Sequence, residues 1–270
     1  MTRYLKSTAA ALTACFALTA PAHAQVEGDV VQLDVLDGGR TANGTYLGAL
    51  RLTLKDGWKT YWRAPGDAGI PPQFDWNRSQ NVGDVAITWP APHVFVQNGL
   101  QSLGYADQLV LPVEITPSDP AKPVRLRGEM DLGVCKDVCI PETLDFDHTL
   151  DAEAGRNPAI AAALAQRPYS AKEAQVTAAS CHLTPTSDGM RIEVRVTMPS
   201  AGGREVAVIE PGNPTLWASE PETTRQSGTL VATSEVISAS GGPFALDRSD
   251  IRITVLGANH AVDIQGCSAG

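Results

Sequence analysis

Leu50-Arg-Leu-Thr-Leu-Lys-Asp-Gly57 decides the fold class. Leu50, Leu52 and Leu54 fall on one face and Arg51, Thr53 and Lys55 on the other. That period-two alternation marks a strand with one face buried. Asp56-Gly57 closes it with a turn signal. Upstream, residues 30–36 read as another strand. Downstream, Gly57-Trp-Lys-Thr-Tyr-Trp62 resumes the strand pattern, and the Pro- and Gly-rich residues 64–72 form a loop. Further strands are expected at residues 85–89, stopped by Pro90 and Pro92, and at 109–116, 124–132 and 143–150. Short strands with turns every ten or so residues predict an antiparallel β-sandwich over residues 25–150.

Asn157-Pro158 opens the one convincing helix. Asn suits the N-cap and Pro the first helical position. Ala-rich residues 159–166 follow, and Pro168 ends the segment. Residues 151–168 read as a helical linker. Alternation returns at 190–198, where Ile192, Val194 and Val196 oppose Glu193, Arg195 and Thr197. It continues at 206–209, 229–237, 251–256 and 261–265. Residues 169–270 are therefore expected to form a second, smaller β-sandwich. The predicted class is all-β.

At the amino terminus, Arg3 and Lys6 precede an apolar run and then Ala22-His-Ala24. This is the pattern of a secretory signal, with residues 1–24 removed after Ala24. Leu12-Thr-Ala-Cys15 offers a lipoprotein alternative, but the apolar run before Cys15 is short for it. No other segment has the 18 apolar residues of a membrane span. The expected product is exported, periplasmic and not stably inserted in a membrane. Without its leader the chain carries 19 basic and 30 acidic residues, a net charge near −11. Nucleic acid and anionic lipid both call for clustered positive charge and are excluded as partners.

Four cysteines remain: Cys135, Cys139, Cys181 and Cys267. An even count in an oxidising compartment indicates two disulfides. Cys181 and Cys267 lie near the start and end of the second unit, and their bond closes a long loop worth about 4.6 kcal/mol in the chain-entropy estimate. Cys135 and Cys139 close a short loop worth only about 2 kcal/mol. If Lys136, Asp137 and Val138 form a three-residue hairpin loop, these two cysteines oppose each other across the strands. Opposed strand residues lie about 4.5–5.5 Å apart at Cα, within disulfide reach. On spacing alone this pair reads as a hairpin clip, with redox chemistry the competing reading. No cofactor or metal is expected: Cys-x3-Cys has no second cysteine pair beside it, His148 reads as an exposed strand residue, and His93, His182 and His260 are scattered. No glycine-rich phosphate loop is present. Trp58, Tyr61, Trp62, Trp76 and Trp89 read as core filling in preference to a sugar platform.

Several motifs then occur in order: Gly57-Trp-Lys-Thr-Tyr-Trp-Arg-Ala-Pro-Gly-Asp67, Trp89-Pro-Ala-Pro-His-Val-Phe95, Gly104-Tyr-Ala-Asp-Gln-Leu-Val-Leu-Pro-Val113 and Gly133-Val-Cys135-Lys-Asp-Val-Cys139-Ile-Pro141-Glu142. Together they resemble the periplasmic amino-terminal domain of the thiol–disulfide interchange protein DsbD, in its ScsB-like branch. The resemblance covers about residues 29–150. Residues 169–270 more loosely resemble the second β domain of ScsB-like proteins. It implies an immunoglobulin-like sandwich with a redox-active pair: Cys139 forming mixed disulfides and Cys135 resolving them. A cap loop between Phe95 and Leu103 would cover the pair, with Phe95 and Leu100 as shields. The implied partners are a membrane-embedded or thioredoxin-like thiol reductant and oxidised periplasmic thiol–disulfide proteins. The sequence ends at Gly270 without the membrane and thioredoxin-like domains of longer members, so the reductant is expected on another protein. Two other readings stand beside this one: a non-enzymatic binding module with two structural disulfides, and a copper-tolerance accessory acting on a metal-sensitive partner.

Overall fold

The computed structural model describes residues 30–270 apart from Ala68 and Asn98. The leader, its cleavage after Ala24 and the Cys15 alternative lie outside the described residues. In chain order the first unit contains β1 (Val31–Arg40), β2 (Tyr46–Leu54), β3 (Lys59–Tyr61), β4 (Gln73–Asp75), β5 (Val82–Ile87), β6 (His93–Gln97), β7 (Leu100–Ala106), β8 (Gln108–Pro117), β9 (Arg125–Cys135) and β10 (Cys139–Thr149). Helix α1 (Pro158–Ala165) follows. Then come β11 (Tyr169–Ser170), β12 (Ala178–Pro185), β13 (Met190–Thr197), β14 (Val206–Glu210), β15 (Leu216–Ala218), β16 (Glu222–Gln226), β17 (Thr229–Ser238), β18 (Arg252–Leu256), β19 (Ala261–Gln265) and β20 (Ser268–Ala269). The fold is nearly all-β and immunoglobulin-like.

In the first unit one sheet runs β1-β2-β8-β5. The other runs β10-β9-β3-β7-β6, with β4 also paired to β9. The opening stretch lies in β2, where Leu50, Leu52 and Leu54 are buried and Thr53 is exposed. Arg51 faces Asp34 of β1 across the ladder and pairs with it at 3.0 Å. Leu50 and Leu111 of this sheet join Leu126, Met130 and Val134 of the other, with Trp62, in one apolar core. Trp58, Trp76 and Trp89 pack at its margin.

Two expectations are revised. The strand over residues 57–62 shrinks to β3, because a turn in which Trp58 N–H donates to Lys55 carries into it. The expected cap loop is instead a hairpin, β6–β7, with Gly99 at φ +80° in its turn. The strand expected at residues 85–89 is Val82–Ile87 and ends ahead of Pro90 and Pro92, and residues 93–97 beyond them pair as β6. His148 is also more than an exposed strand residue. It is half-buried, and its Nε2 lies 2.9 Å from an Asp37 carboxylate oxygen, tying β10 to β1.

Helix α1 begins where expected, with Asn157 Oδ1 accepting from Ala159 N–H at 3.0 Å. It lies against the first unit: Gln166 carbonyl accepts from Ala91 N–H, and Ile160 is buried. Beyond it, Arg167 and Glu173 form a two-point ion pair, and Glu173 also accepts from Ser170 N–H and Oγ.

The second unit stacks sheet β11-β19-β18-β14 on sheet β15-β17-β13-β12-β20, with β16 paired to β17. Strand β14 shows how the units meet. Ala207 and Ile209 face the second unit's own core, while Val206 and Val208 join the core of the first. This sheet is thus covered on both faces, and the contact between units is apolar. It is pinned by Arg63, which donates to both Glu210 oxygens at 3.0 and 2.9 Å and to Thr254 Oγ1 at 3.3 Å.

Cys181 of β12 is bonded to Cys267, which precedes β20, and β20 lies parallel to β12. The bond spans 86 positions. Replacing both cysteines with Ala is expected to lower unfolding free energy by up to about 4.6 kcal/mol, read from denaturant melts of the oxidised chain. The Arg167 and Ser170 hydrogen bonds hold Glu173 at about 2, below its usual 4.5. A carboxyl depressed on folding adds stability above its unfolded value, and that stability is lost as pH falls through the folded value. Thermal melts should therefore fall more steeply between pH 5 and pH 2 for the native chain than for Glu173→Gln.

Candidate functional site: a disulfide at a hairpin tip

Strands β9 and β10 are long and regular, and their register places Cys135 directly opposite Cys139. Lys136, Asp137 and Val138 form the loop, closed by Lys136 N–H donating to Val138 carbonyl at 3.1 Å. The two cysteines are joined, with Cα atoms 4.1 Å apart, slightly closer than the expected spacing. Lys136 Nζ folds back to the Asp56 carbonyl at 3.3 Å, so its charge is docked on a neighbouring turn.

The two sulfurs sit in different surroundings. Cys135 is 2 % exposed, enclosed by the sheet on the side where Lys59 of β3 pairs with it. Cys139 is exposed, at the outer edge of the same sheet. Side chains two apart on a strand share a face, so Tyr61 projects beside Lys59 and reaches diagonally to the disulfide. Its Oη donates to Cys135 Sγ at 2.9 Å and lies 3.6 Å from Cys139 Sγ. Burial pushes the Tyr61 phenol up, which keeps it a proton donor.

Glycine makes this approach possible. A Cβ on Gly104 of β7 would lie 2.0 Å from the Thr60 carbonyl oxygen, so only glycine lets β7 close on β3. Gly133 of β9 leaves room for the side chain of Ile70, which a Cβ would meet at 2.9 Å. Thr60 is fully buried between these strands and donates to Gly133 carbonyl at 3.0 Å.

The β6–β7 hairpin forms a second wall. Phe95 is half-buried, and Lys59 Nζ lies 5.1 Å from its ring centre. Burial pushes the Lys59 ammonium down. The same Nζ donates to Ser102 Oγ at 3.3 Å and to Gln97 Oε1 at 3.4 Å. Gln97 Nε2 donates on to the Lys136 carbonyl at 3.4 Å, which ties the hairpin to the disulfide loop. Leu100 and Val96 are exposed at the hairpin tip, and Val138 is exposed beside Cys139. Cys181 and Cys267 belong to the other unit and take no part in this site. Among the described residues no group of three or more His, Cys, Asp or Glu is placed to hold a metal.

Of the residues that sequence reasoning selected, the structure bonds Cys135 to Cys139 and carries Phe95 and Leu100 on the adjoining hairpin. It adds Tyr61, Lys59 and Gln97. The signal for the first two was the alternation in Trp58-Lys-Thr-Tyr61, which sets a cation and a phenol on one strand face.

Residues 31–151 match the family described as "Thiol:disulfide interchange protein DsbD, N-terminal". The match takes in the whole first unit, which is similar to a DsbD amino-terminal domain. The solved structure of the N-terminal periplasmic domain of ScsB from Proteus mirabilis is similar over 91 % of this chain and 96 % of that one. The TM-score is 0.68 at 22 % identity, which extends the likeness in fold to the second unit. No curated protein matches the chain. The match of this segment supports reading it as a thiol–disulfide exchange module. Among the described residues no helix is long and apolar enough to cross a membrane.

Tyr61→Phe removes the donor on Cys135. A hydrogen bond to a charged group contributes about 1.5–3 kcal/mol, and 1.36 kcal/mol corresponds to about one pKa unit. In the reduced protein the Cys135 thiol should therefore titrate at least about one unit higher in Tyr61→Phe. Thiolate absorbance near 240 nm, recorded against pH in a Cys139→Ser background, checks this.

Proposed function

We propose that this chain is a periplasmic relay of reducing equivalents, with Cys139 the sulfur that bonds to partners and Cys135 the resolving sulfur. The observation that carries the assignment is the asymmetry of the pair: Cys139 is exposed, while Cys135 is buried and hydrogen-bonded by Tyr61. Export as a periplasmic protein, with the leader cut after Ala24, is part of the same reading.

In the first half-reaction a reductant's thiolate attacks Cys139 Sγ. The Cys135–Cys139 bond breaks, and its electron pair leaves on Cys135 Sγ. Tyr61 Oη faces that atom and stabilises the departing thiolate, and a lower-pKa leaving thiol departs faster. The reductant's second thiolate then attacks its own sulfur in the mixed disulfide and releases Cys139. The reductant ends as a disulfide and this chain as a dithiol. In the second half-reaction Cys139 thiolate attacks a client disulfide, and Cys135 thiolate attacks Cys139 Sγ to release the reduced client. The donor is a thioredoxin-like or membrane-embedded thiol protein, and the acceptors are oxidised periplasmic thiol–disulfide proteins. The exposed Val138, Val96 and Leu100 supply an apolar docking rim for both, and Phe95 belongs to the shield.

Trapping tests the assignment. Cys135→Ser expressed in the native compartment should accumulate mixed disulfides through Cys139, and Cys135→Ser/Cys139→Ser should accumulate none. In a redox-buffer titration the pair should have a potential above about −300 mV, the value below which structural disulfides fall. A lower potential together with no trapped adduct would return the pair to a hairpin clip.

A further inference from the structure

The oxidised cysteine pair is neutral, and opening it creates charge. When the bond breaks toward Cys135, an electron pair is left on a sulfur that the sheet encloses. A buried charge is costly unless it is paired. Tyr61 Oη gives that sulfur a hydrogen bond but no charge. A cation stands beside it in the ladder: Lys59 of β3 is the register partner of Cys135. Opposed strand residues have Cα atoms about 4.5–5.5 Å apart and side chains on one face.

Lys59 has no anion of its own. Among the described residues its ammonium meets only neutral groups: the Phe95 ring, Ser102 Oγ and Gln97 Oε1. Gln97 Nε2 donates to the Lys136 carbonyl, so one side-chain amide separates the ammonium from the residue after Cys135. Two other cations lie nearby. Arg63 is paired with Glu210. Lys136 is exposed, where solvent and salt screen its charge. The remaining titratable groups around this face are Tyr61 on β3, Asp131 on β9, Asp137 in the hairpin loop, Cys139 on β10, His93 on β6 and Asp67 in the loop beside Tyr61. Asp131 accepts from the Thr143 hydroxyl. Strand β7 presents Ser102, Gly104 and Ala106 here and adds no charge.

We propose that Lys59 is the counter-charge of the Cys135 thiolate, its ammonium leaving Gln97 and the Phe95 face for Cys135 Sγ when the disulfide opens. The reductant's thiolate bonds to Cys139 Sγ, the Cys135–Cys139 bond breaks, and the electron pair stays on Cys135. Lys59 keeps its proton, so the product is an ion pair and no proton moves. An opposite charge within about 4–6 Å lowers the pKa of an acid by about 1–3 units, and a lower-pKa leaving thiol departs faster. The backbone of Lys59 need not move for this, because the neighbouring Thr60 fixes β3 to the Gly133 carbonyl. That Cys135 is the leaving sulfur rests on the relay reading above; the ion pair is a property of the reduced chain and does not.

The test follows the Cys135 Cβ carbon NMR shift against pH in the full chain carrying Cys139→Ser, with the Cys181–Cys267 bond intact. Adding Lys59→Met should raise the Cys135 titration by about one unit, and Lys59→Arg should restore at least half of that rise. Gln97→Ala/Ser102→Ala frees the ammonium without removing it and should give no rise. Coupling between two sites is reciprocal. The Cε carbon shift of native Lys59 should therefore titrate higher in Cys139→Ser than in Cys135→Ser/Cys139→Ser, by the same amount, a reading that needs no Lys59 variant. An unmoved Cys135 titration in Lys59→Met, or equal Lys59 titrations in the two cysteine variants, would overturn the proposal. So would a rise in Gln97→Ala/Ser102→Ala equal to that in Lys59→Met, the mark of a mere hairpin fastener, or an equal rise in Lys136→Met. Mixed-disulfide trapping by Cys135→Ser reports on the relay separately. Trapping without coupling sinks the ion pair alone, and coupling without trapping sinks the relay alone.

Discussion

Strand β3 is only three residues long, yet it lies between β7 and β9 at van der Waals limits. The contact at Thr60 and Gly104 admits no side-chain carbon on the β7 side. Everything at the site is measured from this squeeze. It buries Thr60, sets Lys59 against Cys135, and brings Tyr61 Oη to the buried sulfur. A longer or looser strand would leave the disulfide at the hairpin tip but remove the group that touches it.

The fold was legible wherever alternation was strong. Strands β2, β8, β13 and β17 each carry a clear inner and outer face, so one sequence period specifies both strand and burial. The short elements were not legible. Strands β4, β15 and β20 have two or three residues, too few for a period to show, and they exist because a long neighbour offers an edge. The cap loop expected between Phe95 and Leu103 came from the family resemblance alone, and the structure makes that stretch the β6–β7 hairpin. At the site, the Cys135–Cys139 spacing fixed the hairpin geometry, but Tyr61 was assigned to the core. That was half right: the ring is buried and the hydroxyl is not idle. A sequence shows that a tyrosine is amphipathic, and only tertiary packing shows what its oxygen meets.

The two disulfides divide labour by loop length and location. Cys181–Cys267 closes most of the second unit, where chain entropy rewards it, and is fully buried at Cys181. Cys135–Cys139 closes a turn that hydrogen bonds already close, so its removal costs the fold little. A bond with little structural duty can open and close without disturbing its surroundings. The strands behind it keep their register through ten further paired positions.

The difference in exposure between the two sulfurs governs traffic as well as chemistry. With one sulfur facing solvent and the other enclosed, the site has one doorway. In the relay proposed above, a donor and an acceptor would both need it, so they could not occupy the chain together. Turnover on such a site is a ping-pong cycle, in which each partner must leave before the next enters. Its rate at low partner concentration follows the scarcer of the two, and an excess of either one, in its unreactive redox form, acts as a competitive plug.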